Sequence, residues 1–219
     1  MLRSFLQLTA VGYAIQAIFD SDSLWLVFGL LAGMVAFGTA TARSRAKEVP
    51  GATVPIVLGL TAAAVTTLGL VLALGVFEPK PQYLVPVGGM VIGNAMTAAA
   101  VSLNRLADEV RSNAHAIEAT LALGATSRQA VSRIVTRSLR SGMIPLIDST
   151  KTTGLIFFPG TMVGMLLAGA APTDAVRLQL ILLYVLLGAV AIAALVAALL
   201  AQRAFFTPAH QLRELPATD

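Results

Sequence analysis

Several apolar runs in this chain reach or approach twenty residues, and one of them, "LQLILLYVLLGAVAIAALVAALLA" (178–201), carries no charge at all. About 20 apolar residues in helical form cross the ~30 Å hydrocarbon core of a bilayer. Charged residues make up 12% of the 219-residue chain, where a soluble domain has about 25%. The chain is therefore expected to be an all-α integral membrane protein, a polytopic bundle of about six transmembrane helices in a single domain. The spans are expected at Ser4–Phe19, Leu24–Ala42, Val54–Phe77, Tyr83–Leu103, Thr152–Ala171 and Leu178–Ala201. The first of these is short for a bilayer core at about 24 Å. Gln7 and Gln16 interrupt its apolar run and no Ala-x-Ala site follows, so it is read as a span and not as a cleaved signal peptide. Pro55 and Pro86 fall in expected first turns, where a missing N–H costs little.

Charge placement gives the orientation. Arg3, Arg43, Arg45, Lys47, Arg105, Arg111, Arg128, Arg133, Arg137, Arg140, Lys151, Arg203 and Arg213 fall on one side, against Lys80 and Arg177 on the other. Basic residues collect on the cytoplasmic side of short loops, which puts both termini inside, in the inner (plasma) membrane. The net charge of +4 is thus a topology signal, and a nucleic-acid partner is not required. No cysteine is present, which excludes disulfides, thiolate metal sites and cysteine nucleophiles. Gly29/Gly33, Gly89/Gly93 and Gly160/Gly164 stand four apart, a spacing that lets helix backbones approach. Packing within the chain is the plain expectation, and a dimer seam the sharper one for one pair.

The polar stretch 104–142 is the part of the chain that lipid does not explain. Leu106, Val110, Ile117 and Leu121 recur at helical spacing, with Asp108, Glu109, Arg111 and Glu118 on the remaining faces. Gly124 breaks the pattern. Thr126 with Gln129 three residues on makes a capping-box signature for the next helix. That helix turns Val131, Ile134, Val135 and Leu139 one way and Arg133, Arg137 and Arg140 another, as suits an anionic inner leaflet. Two helices joined by a glycine turn have the shape of an element inserted into a partner's groove. The bland alternative is a hairpin lying on the surface without a partner.

The residues Glu118-Ala119-Thr120, Gly124 and Ile134, ten positions on, resemble the EAA loop of ABC transporter permeases. In such permeases this loop forms a coupling helix seated in a cleft of the ATPase subunit. The Leu-Pro that often follows is replaced here by Thr136 and Arg137. The wider sequence, including "VPVGGMVIGNAMTAAA" (85–100), "IPLIDSTKTTGLIFFPGTMVGMLLAGAAPTDAVRLQ" (144–179) and "HQL" (210–212), is similar to the FetB family of bacterial iron-export ABC permeases, related to plant half-size permeases linked to aluminium tolerance. Members of that family usually carry a further hydrophobic segment before the equivalent of residues 3–19. The resemblance implies a homodimeric permease with ATPase-coupling residues Glu118, Ala119, Thr120, Gly124 and Ala125. It implies iron or another metal ion as substrate, with ATP and magnesium bound by a separate ATPase.

No Gly-rich Lys-Ser/Thr phosphate loop occurs in the chain, so no cofactor is expected here and energy must come from a partner. Asp148 and Lys151, at i and i+3, could pair. A charge at the bilayer centre costs about 2.5–3.5 kcal/mol on insertion scales, which argues for the cytoplasmic interface. A gate and a snorkelling lysine beside a helix-start aspartate are equal readings of the two. Pro159-Gly160 should kink the fifth span and free a carbonyl. Asn94 is an amide deep in the fourth span that wants a partner. Met90, Met96, Met162 and Met165 read first as packing, since iron prefers oxygen and nitrogen ligands. Asn94, Met96, Asp148, Lys151, Pro159, Gly160 and Met162 together form the candidate path or gate. An ion-gradient-driven secondary transporter or channel is the competing reading, and would want a mid-span carboxylate or histidine. An intramembrane enzyme is the weakest, because His115 and His210 both lie outside the spans.

Overall fold

A computed structural model describes residues 2–21 and 23–213, and side chains from Thr9 onward with gaps at 10 and 14. The eight α-helices are α1 (Leu2–Ser21), α2 (Leu24–Arg45), α3 (Thr53–Ala73), α4 (Pro81–Ser112), α5 (Ala114–Ala122), α6 (Ser127–Thr152), α7 (Gly160–Leu167) and α8 (Pro172–Ala201), followed by a 3-10 turn at Gln202–Phe205. Four helical segments among the described residues are long and apolar enough to cross a membrane: Leu24–Arg45, Thr53–Ala73, Pro81–Ser112 and Pro172–Phe205. The chain is an all-α membrane protein. Arg3 and the start of the first expected span, residues 4–8, lie outside the described side chains.

α4 and α8 form the centre, with α2, α3 and α6 packed around them. Small side chains make this possible. The buried face of α8 is largely alanine (Ala189, Ala193, Ala194, Ala197, Ala198, Ala201), and α4 answers with Ala95, Ala98, Ala99 and Ala100. Helix association in lipid depends on such close backbone packing, because lipid tails offer no hydrophobic driving force between helices. α3 approaches α8 closely at Gly59, where an added Cβ would stand 2.8 Å from the Ala193 carbonyl oxygen. Gly88 similarly receives Leu31, and Gly142 receives Ser102 and Ala98.

The glycine pairs expected to pack within the chain do not do so. A Cβ at Gly29, Gly33, Gly93, Gly160 or Gly164 would meet nothing within 4 Å, and one at Gly89 would graze only Met34 at 3.9 Å. Four-residue spacing marks a smooth face, and which smooth faces meet is decided by the whole bundle.

Three further boundaries depart from the expectation. α4 runs unbroken to Ser112, so residues 104–112 are the end of a spanning helix and not a separate arm. At 32 residues it is about 48 Å long at 1.5 Å per residue, well beyond a ~30 Å core. Because α4 begins at Pro81, Pro86 sits past its first turn, whereas Pro55 does fall in the first turn of α3. Finally, Thr152–Ala171 is not one span. α6 ends at Thr152, residues 153–159 are irregular, and α7 has only eight residues. The break begins at Gly154 (φ +81°), a left-handed position suited to glycine, five residues before the proline expected to cause it. Gly154 N–H donates to the Phe157 carbonyl at 2.9 Å and closes the turn.

Candidate coupling turn and polar path

α5 is the element that the bundle does not need. It begins after Asn113, whose amide Nδ2 and backbone N–H both donate to the Glu109 carbonyl (2.8 and 3.1 Å) and end α4 there. Ile117 is buried and anchors α5. Glu118, Ala119 and Leu123 remain exposed, Leu123 at 88%. Thr120 is half-buried, its hydroxyl donating to the Ala116 carbonyl at 2.7 Å. The helix closes in a Schellman turn: Gly124 N–H reaches the Leu121 carbonyl (2.9 Å) and Ala125 N–H the Thr120 carbonyl (3.3 Å). Gly124 has φ +91°, which explains a glycine there without any appeal to a partner.

Thr126 then caps α6 as its sequence signature requires. Its side chain accepts from Gln129 N–H, and the Gln129 Oε1 accepts from Thr126 N–H at 2.9 Å. The first turn of α6 is also held from the far end of the chain. Ser127 Oγ lies 2.6 Å from His210 Nδ1, within a hook formed by residues 206–213. The hook is closed by Thr207 N–H to Gln211 O (2.9 Å) and by Arg213 N–H to Phe205 O (2.9 Å). A cleft of about 370 Å³ separates it from α5, lined by Glu118, Leu121, Ala125 and residues 209–212.

Glu109 is the residue that sequence reasoning misplaced. The pattern sets it off the apolar face, yet it is 8% exposed. Its carboxylate takes Arg105 at 2.7 Å from its own helix and Arg137 at 3.6 Å from α6. Arg137 is exposed like Arg133 and Arg140, but this pair ties it to α4. Arg111 pairs with Glu48 at 2.9 Å, tying the end of α4 to the α2–α3 connection. Glu109 stands three positions after Leu106 and so borders the apolar face of α4.

The candidate path residues do not form one cluster in a single chain. Glu109 meets Arg137, while Ala98 and Ser102 meet Gly142, so α4 and α6 run antiparallel. Asp148 lies six residues beyond Gly142 on α6, about 9 Å further along the bundle. Its side chain is exposed in the single chain. Asp148 and Lys151 do pair, at 2.8 Å. Asn94 satisfies its amide within its own helix, Nδ2 donating to the Met90 carbonyl at 2.8 Å. Met96 is half-buried beside Gly38 of α2, and Met162 is buried in α7. Pro159 caps α7 and Gly160 opens it. α7 is tied to α8 by Thr161 Oγ1 donating to the buried Gln179 Oε1 at 2.6 Å, a contact with no motif to announce it. Among the described residues, no group of three or more His, Asp or Glu side chains is placed to hold a metal ion.

The family model described as "Uncharacterised protein family (UPF0014)" matches residues 1–206. The chain belongs to the UPF0014 family. Its relatives in the family include the rice "UPF0014 membrane protein STAR2", 40% identical over 215 residues (98% of this chain, 75% of the relative). The Arabidopsis "Protein ALUMINUM SENSITIVE 3" is 39% identical over 212 residues (96% and 77%). The Escherichia coli "Probable iron export permease protein FetB" is 34% identical over 211 residues (96% and 81%). UPF0014 membership agrees with the FetB-type resemblance carried by the "GNAM" and "DSTKTTGL" segments. No solved structure gives a significant match.

Proposed function

We propose that this UPF0014 protein is the membrane-spanning permease subunit of an ABC transporter, working as a homodimer and exporting iron or another metal ion. One observation carries the reading. α5 and the Gly124 turn project Glu118, Ala119 and Leu123 from the basic end of the bundle, although α4 and α6 could have been joined by a short loop. A short helix held by one buried isoleucine, with Glu118, Ala119 and Leu123 exposed, is a shape that fits a cleft on another protein. The partner is a separate cytoplasmic ATPase, which binds ATP and Mg²⁺ and performs the hydrolysis. This chain is not itself an enzyme.

In this account the basic end faces the cytosol of the inner membrane, with both termini inside. α4 and α6 leave the membrane together, bound by Glu109, and flank α5 as two rigid shafts. Force applied at α5 passes up both shafts to the spans. The relative named as an iron export permease supports the substrate class and direction.

The test is copurification of the ATPase from membranes. Glu118→Lys reverses the exposed charge at the turn and is expected to reduce ATPase recovery by roughly tenfold or more, the scale of a lost docking contact. Glu78→Lys, at the opposite end of the bundle, is expected to leave it intact. Equal recovery in both variants removes α5 from the docking role.

A further inference from the structure

A cavity of about 420 Å³ lies between the end of α8, the first turn of α6 and the hook, within the roughly 300–1,000 Å³ usual for small-molecule sites. It shares only His210 with the cleft beside α5. Arg128 and Arg203 both line it. Neither is in an ion pair among the described residues, whereas Arg105, Arg111, Arg137 and Arg177 each have a carboxylate partner. No Asp or Glu lines the cavity. Two cations thus share one cavity that holds nothing to neutralise them.

The rest of the lining is of two kinds. Val131, Leu199 and Phe206 make an apolar part. Thr207 and Gln202 add polar groups with unused capacity. Thr207 Oγ1 accepts from Gln211 N–H at 3.2 Å, which leaves its own proton free to donate. Gln202 is 8% exposed. Its Nε2 donates to the Leu199 carbonyl at 3.1 Å, and its Oε1 has no hydrogen-bond partner among the described residues. The segment Pro172–Phe205 is long and apolar enough to cross a membrane, and its last turn, with Gln202 and Arg203, forms part of the wall.

We propose that this cavity binds the headgroup of an anionic phospholipid, with the phosphate held between Arg128 and Arg203. Guanidinium forks match phosphate geometry and bind it through charge-assisted hydrogen bonds. Basic pockets at the ends of spanning helices hold anionic headgroups in this way. Thr207 donates to the phosphate, and Gln202 Oε1 accepts from a hydroxyl or ammonium of the headgroup. The glycerol and first acyl carbons lie against Leu199 and Phe206. The mixed lining selects the occupant: a soluble phosphate would use the two cations and leave the apolar part against water, while an amphipathic anion uses both. Bound there, the lipid ties the end of α8 to the first turn of α6, at the base of the turn that carries α5. The inference holds whatever the protein transports.

The test is lipid binding by the full chain purified in detergent, titrated with phosphatidylglycerol or phosphatidylcholine of the same acyl chains and read by native mass spectrometry. Phosphatidylglycerol is expected to bind roughly tenfold or more tightly, the scale of hydrogen bonds between charged groups. Arg128→Gln/Arg203→Gln is expected to abolish that preference, and each single variant to weaken it. Arg133→Gln/Arg140→Gln removes the same charge from exposed positions of α6 outside the cavity and is expected to keep the preference. Equal loss in the two double variants means diffuse attraction to anionic lipid and overturns the site, as does a parent protein without preference. The melting midpoint of each lipid-free variant reports its folding, and the single variants decide the matter if the cavity double variant is unfolded. Inorganic phosphate is the competing soluble anion. It is expected to leave the lipid bound at equal concentration, and displacement of the lipid overturns the assignment in favour of a soluble ligand.

Discussion

Glu109 shows how much one side chain can hold. Its carboxylate joins α4 to α6 through Arg137 and stiffens its own helix through Arg105. Both arginines reach water, so each pair alone would be worth little. The burial of the carboxylate itself changes the balance. Glu109→Ala leaves Arg137 without its link across the helices, and is expected to cost about 1–3 kcal/mol, read as a lower melting midpoint of the purified protein in detergent. Gly142 is the second such residue. A methyl group there would collide with Ser102 Oγ and approach the Ala98 carbonyl at 2.7 Å, and Ser102 Oγ is buried without a hydrogen-bond partner among the described residues. Gly142→Ala is expected to destabilise the bundle by about 1–3 kcal/mol, the usual scale of overpacking. Adding Ser102→Ala should restore only part of the loss, because the carbonyl remains. Full restoration would show that the hydroxyl alone sets the spacing.

At the scale of elements, local chemistry was readable and tertiary choice was not. The Thr126–Gln129 capping box is a four-residue pattern, and it is built as its spacing requires. Thr126→Ala should cost about 1 kcal/mol and appear as faster amide exchange confined to the first turn of α6. Exchange that rises along the whole helix would mean that the cap does more than hold the end. The fifth span was not readable in the same way. Residues 152–171 are apolar enough to look continuous, but Gly154 at φ +81° and Pro159 as an N-cap divide them. Hydropathy reports the solvent a segment suits and says little about whether its backbone is unbroken. α6 likewise continues through Pro145, a residue that argues for an end. Burial of Glu109 and Gln179 was invisible for a related reason: each depends on which neighbouring helix supplies its partner.

For the whole molecule, the all-α membrane character followed from apolar run length. The central pairing of α4 with α8 follows from their alanine faces, which composition alone did not single out. The arrangement is a packed centre with α5 exposed at its basic end. The account makes α5 the place where a separate ATPase acts on the spans. The most direct measurement is Fe²⁺ movement into liposomes that carry the purified protein with its basic end outward, with and without the ATPase and with ATP supplied outside. Transport is expected only when protein, ATPase and ATP are all present, and to be lost on Glu118→Lys. Sustained uphill transport by the protein alone, driven by an ion gradient, would contradict the account.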